Sequence, residues 1–114
     1  MAQRLPKQII AGTQLTASAA SYYTVPANTI TTISAMTLCN STGTARTATV
    51  HLVPSGGSAS AANMILSART IAAGESYNVS AAIGQSIPAG SIIQALADSA
   101  TAVTITASGY EINP

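Results

Sequence analysis

Few of the residues that ordinarily mark a function are present in this chain of 114 residues. It has no tryptophan, no phenylalanine, one cysteine, one histidine, four basic and three acidic side chains. Charged residues make up 6% of it, against about 25% in an average soluble domain. Each scarcity excludes something. Cys39 is alone, so no disulfide within the chain can staple the fold; lying at the end of an apolar run, it is expected to be a buried, inert thiol. Arg4, Lys7, Arg46 and Arg69 are scattered and the net charge is +1, which leaves no basic stripe for nucleic acid. Cys39 and His51 are too thin a ligand set for a metal. Glu75, Asp98 and Glu111 fall at or near expected turns and the chain end, so they form no carboxylate pair for acid–base work. Gly56-Gly57 lacks the Lys-Ser/Thr that completes a phosphate loop. No run approaches the length of a membrane span. Pro6 and the short Ile9-Ile10 patch make a poor secretory signal, so the chain is expected to be used without Sec-type export. The expectation is a protein that is not an enzyme and has no cofactor, no metal, no nucleic-acid partner and no membrane partner.

What is present is hydroxyl alternating with small aliphatic residues. In Thr47 to Leu52, Ala48, Val50 and Leu52 fall on one face and Thr47, Thr49 and His51 on the other, the period of a half-buried strand. His51 is therefore expected to be exposed or to face a partner. Val103, Ile105 and Ala107 alternate in the same way with Thr104, Thr106 and Ser108. The stretch Thr29 to Val53 has two such runs around Asn40-Ser41-Thr42-Gly43, residues that suit a tight turn, and is expected to form a central β-hairpin. Ser91–Ala97 and Ala102–Ser108 are expected to form a second. Further strands are expected over Gln8–Leu15 with a bulge or bend at Gly12, over Tyr22–Val25, over Met64–Ile71 with a helical turn near 61–66 as competitor, and over Glu75–Ser80.

Three similar turns, Pro26-Ala27-Asn28, Ala72-Ala73-Gly74 and Pro88-Ala89-Gly90, each introduce a new strand; the last reads as a type I turn over Ile87 to Gly90. Seven or eight short strands at this spacing point to one all-β domain over residues 1–114, an antiparallel β-sandwich of jelly-roll or immunoglobulin-like type. Residues 1–7 precede it as an extended arm. Asn40-Ser41-Thr42 and Asn78-Val79-Ser80 match the glycosylation pattern by coincidence. A hydroxyl-rich surface can be buried against another protein without desolvating ions, and interface centres are depleted in charge. With so little charge to guard its sheet edges, the chain is expected to pair an edge with another subunit.

The succession TVPANT, LCNSTGTA, VHLVPSGGSA, TIAAGESY, SIPAGSIIQALA and AVTITASGYEI, over roughly residues 22 to 112, resembles small all-β virion proteins of tailed bacteriophages. Asn28 stands where glycine is frequent in that pattern, and it too tolerates the turn geometry. The resemblance implies a non-enzymatic structural protein located in the virion after synthesis in the host bacterial cytoplasm. The first expectation is a capsid decoration, or cement, protein that forms a small homo-oligomer, a trimer, and bridges subunits of the major capsid protein. A neck, collar or tail-fibre-adaptor protein contacting other virion proteins is the alternative. A carbohydrate-binding module using Tyr22, Tyr23, Tyr77 and Tyr110 is a third reading, since sugar platforms need exposed aromatics. The residues expected to make protein contacts are Arg4, Leu5, Pro6 and Lys7 in the arm, and Ser55, Gly56, Gly57 and Asn63 in the glycine-rich loop.

Overall fold

The alternation of hydroxyl and aliphatic residues is realised as nine antiparallel strands in a computed structural model that describes residues 4–113. They are β1 (Arg4–Gln14), β2 (Ala20–Thr24), β3 (Ile30–Asn40), β4 (Arg46–Val53), β5 (Met64–Ile71), β6 (Ser76–Asn78), β7 (Ser86–Ile87), β8 (Ile92–Ala97) and β9 (Val103–Ile112). The first sheet has the order β1-β9-β3-β6, with β7 also beside β3, and the second has the order β2-β8-β4-β5. The pairs β1–β9, β2–β8, β3–β6 and β4–β5 are thus nested one inside the next, which is the wrapping of a jelly-roll sandwich. Nine strands are counted rather than seven or eight because the short Ser86–Ile87 pairs separately with β3.

This wrapping corrects both expected hairpins. β3 lies in the first sheet and β4 in the second, and β8 and β9 are divided in the same way. The segments 41–45 and 98–102 are therefore arches between sheets. Alternation states which face of a strand is buried, and an arch satisfies it as well as a hairpin, because both strands turn their aliphatic residues into one space. Among consecutive strands, β4 and β5 are hydrogen-bonded to each other.

The core between the sheets is aliphatic. Leu15, Ile33, Met36, Leu38, Val50, Ile93 and Ile105 are fully buried in it, and each such side chain contributes on the order of 1.5–3 kcal/mol. Gly109 is required by close approach: a Cβ there would lie well inside contact distance of the Thr32 carbonyl oxygen. It sits beside the register shift between Ile33 and Ala35 where β3 bends against β9. The three similar turns are confirmed in kind, with a left-handed third residue in each, Asn28 (φ 57), Gly74 (φ 72) and Gly90 (φ 85). Ser91 N–H donates to the Pro88 carbonyl, so the last turn spans Pro88 to Ser91 with glycine third, a type II arrangement.

The arch after β3 is closed by Asn40, which is fully buried. Its amide nitrogen donates to the carbonyls of Thr44, Ile71 and Ala72, and its oxygen accepts from the N–H and hydroxyl of Thr42. The glycosylation pattern at Asn40 is thereby spent on structure. Cys39, expected in the core, is instead half-buried on the outer face, because Leu38 and Asn40 take the inward positions on either side of it.

Candidate functional site

The glycine-rich loop leaves β4 at Pro54 and folds back over that strand. Gly57 N–H donates to the Pro54 carbonyl at 2.9 Å, Gly56 takes a left-handed φ of 78°, and a single 3-10 turn at Ala61–Asn63 leads into β5. Asn63 organises the loop. Its Nδ2 donates to the Ser58 carbonyl at 2.9 Å, and its Oδ1 accepts from Ser60 N–H at 3.1 Å. His51 Nδ1 lies 2.9 Å from Asn63 Oδ1 and 3.1 Å from the Ser60 carbonyl. Both are acceptors, so the proton sits on Nδ1. His51, expected to be exposed or to face a partner, is 4% exposed: it does point out of the sheet, and the loop covers it.

Between this loop, β7 and the turn Pro88–Ser91 lies an open groove of about 700 Å³, lined by apolar Leu52, Met64, Ile65 and Ile87 and by polar Asn63 and Ser91. Its volume lies within the ~300–1,000 Å³ of ordinary ligand sites. No charged side chain among the described residues lines it. Ser91 is 2% exposed, and its hydroxyl has no hydrogen-bond partner among the described residues. Ser55 packs over Gly90, where a Cβ would come within 2.5 Å of Ser55 Oγ, so the absence of a side chain at Gly90 lets the loop dock on the turn.

The expected arm is extended, and from Arg4 onward it is hydrogen-bonded as the first half of β1, with Arg4, Leu5, Pro6 and Lys7 opposite Ile112, Glu111, Tyr110 and Gly109. Residues 1–3 of the arm lie outside the described residues. Lys7 Nζ meets Glu111 Oε2 at 3.1 Å. The same oxygen accepts from the Tyr23 hydroxyl at 2.6 Å, and that hydroxyl is 2.7 Å from Thr31 Oγ1. Tyr23 belongs to the second sheet and the other three to the first, so this chain of contacts ties the sheets together at the end where the arm begins. Burial, and then the Glu111 bond, push the Tyr23 hydroxyl up from 10.0 to about 12. The Tyr23 O–H bond, and after it Lys7, hold the Glu111 carboxyl below its ordinary value.

Arm and groove belong to one end of the sandwich. Leu5, Glu111, Thr31 and Ile87 form one row across β1, β9, β3 and β7, and Ile87 lines the groove, so the two are about 14 Å apart at ordinary strand spacing. Of the expected contact residues, Gly57 and Asn63 line the groove, Ser55 and Gly56 sit in the loop beside it, and Leu5 is 52% exposed across the row. Of the four tyrosines offered for a sugar platform, Tyr22, Tyr23 and Tyr77 pack on the core, and Tyr77 lies under the Arg69 guanidinium at 4.6 Å.

No protein family, curated protein or solved structure matches this chain.

Sequence reasoning missed Ser91 and the Tyr23–Glu111–Lys7 contacts. The separation of 88 positions between Tyr23 and Glu111 leaves no local periodicity to detect. Ser91 follows a turn glycine and reads as one more turn residue.

Proposed function

We propose that this chain is a non-enzymatic structural protein of a bacteriophage virion, a capsid decoration protein that stabilises the head by bridging subunits of the major capsid protein. The observation that carries the reading is the composition of the contact end. An uncharged groove lies there beside exposed aliphatic side chains, Leu5 at 52%, Ile83 at 45% and Ile30 at 40%. Another protein can cover the groove and these aliphatic side chains without stripping water from ions there, and their apolar area supplies the driving force. The jelly-roll wrapping suits the role, as the same architecture recurs in viral capsid domains, although it also serves lectins and cupins and does not decide function alone.

The mechanism is mass action. A protein that binds the assembled shell and not its dissociated subunits stabilises the shell by RT ln(1 + [L]/Kd), about 2.7 kcal/mol per site at a free concentration of 100 Kd. The arm and loop 54–63 supply the contacts. Co-sedimentation tests this directly: purified chain, mixed with mature shells stripped of it, is expected to pellet with them and to saturate at a fixed ratio to the major capsid protein. A Leu5→Asp variant is expected to bind at least about tenfold more weakly, as a buried unpaired charge would require. A chain that stays in the supernatant at every ratio contradicts the proposal.

A further inference from the structure

The first sheet carries a second surface with no assigned use. β3 and β9 run through its middle and bring Thr32, Thr37 and Cys39 opposite Tyr110, Thr106 and Thr104 on the outer side. β6 extends the face with Asn78 and Ser76, opposite Thr37 and Cys39, and β1 with Pro6 and Gln14, opposite Tyr110 and Thr104. None of these residues is an aspartate, glutamate, lysine, arginine or histidine. Arg4 stands at one corner of the sheet, opposite Ile112, which in turn pairs with the exposed Ile30. The outer face of the second sheet differs, because loop 54–63 crosses it and buries His51 and Val53.

The edges do not offer an equivalent surface. β1 contains Pro6, which has no N–H to donate, and two register shifts. β2 is five residues long with a shift between Ser21 and Tyr23. β5 is bulged twice against β4 and holds Ala68 at a φ of 42°. β6 and β7 have three and two residues. Bulges, proline and shortness are the devices by which sheets resist edge pairing. Edge pairing, expected from the shortage of charge, is therefore opposed by backbone geometry, and association falls to a face.

We infer that the outer face of the first sheet pairs with the same face of a second copy of this chain. A two-fold pairing sets each residue against its own equivalents and their neighbours, so a charge near the axis would meet a like charge across it, and Thr37, Thr104 and Thr106 in the middle of this face carry none. A charged foreign partner would lose the water of its ions with no counter-charge in return. Three strands run along the Ile30-to-Cys39 stretch and β6 adds three residues, about 14 by 33 Å plus about 5 by 10 Å, or about 500 Å² from each copy and about 1,000 Å² in all, the least that a specific interface needs. Such a face makes a two-fold pair rather than the trimer implied by the resemblance.

The inference rests on the assembly reading above, and sedimentation equilibrium of the full chain separates the two. The wild type is expected to be a two-copy species at about 50 µM, and Thr106→Arg, in the middle of the face, to dissociate at least about 100-fold more readily. Thr47→Arg, on the second sheet, is expected to behave as wild type. Thr37→Lys replaces Thr106→Arg should the latter lose the wild-type circular dichroism. A wild type that is monomeric, or a two-copy species that both face variants leave intact, overturns the face. Neither result bears on co-sedimentation with shells, which tests the virion proposal independently.

Discussion

Asn40 and Ser91 are both buried polar residues, at opposite ends of the sandwich, and the fold treats them differently. The Asn40 amide is bonded on both sides, to Thr42, Thr44, Ile71 and Ala72, while Arg46 Nε at the same end, on the residue opposite Ile71, is buried with no partner among the described residues. The Ser91 hydroxyl has no partner among the described residues and lines a groove. The Ser91 hydroxyl opens to that groove, where solvent can supply the bond that the chain does not. The exposed Leu5 and Ile30 belong to the Ser91 end as well. One end carries a fully bonded buried amide, and the other an open groove beside exposed aliphatic side chains.

Breaking the closed end is expected to give the largest effect. Asn40→Ala would leave the Thr42 N–H and three carbonyls without their buried partner, and is expected to cost about 3 kcal/mol in urea unfolding. Tyr23→Phe, at the open end, removes bonds to Thr31 and Glu111 and is expected to cost about 1–2 kcal/mol. Lys7→Ala is expected to cost less, about 0.2–1 kcal/mol, because the Lys7 side chain is 48% exposed and such pairs are screened. Ser91→Ala is expected to change stability by less than about 0.5 kcal/mol, since it has no bond to lose within the chain. Should Ser91→Ala prove as costly as Asn40→Ala, the contrast between the ends would collapse.

The pH dependence sharpens the same contrast, since Tyr23 and Glu111 belong to the open end. Glu111 is held below its ordinary value of 4.5 first by the Tyr23 bond and then by Lys7. Its contribution is therefore fully present above that value and is lost as pH falls through the lowered one. Tyr23 is raised from 10.0 to about 12, so its contribution is present below pH 10 and is lost as pH rises toward 12. Tyr23→Phe is expected to flatten both limbs in thermal melts taken across the pH range. Asn40→Ala, which carries no titrating group, is expected to lower the whole profile and leave its shape unchanged.

Much of the fold was legible because its signals are local. The alternation in β4 and β9 assigned Ala48, Val50, Val103, Ile105 and Ala107 to the interior, where they are buried. The recurrent turns marked the starts of β3, β6 and β8. What could not be read was which strands pair, since Asn40-Ser41-Thr42-Gly43 has the chemistry of a hairpin turn and forms an arch. The burial of His51 depends on a loop folding over a correctly assigned strand face, which periodicity does not encode. In the candidate site the glycine-rich loop announced itself by composition, and Gly57 and Asn63 do line the groove. Ile87 and Ser91 reach the same groove from more than 20 positions beyond Asn63, through the wrapping of the sheets.

The most direct test of the account is the number of copies of this chain in purified virions, obtained by calibrated mass spectrometry against the major capsid protein. The account predicts a copy number on the order of hundreds, in fixed proportion to the capsid protein, as one-sided decoration of a shell requires. A dozen or so copies would contradict decoration and move the chain to the neck or tail, and none would contradict a virion role altogether.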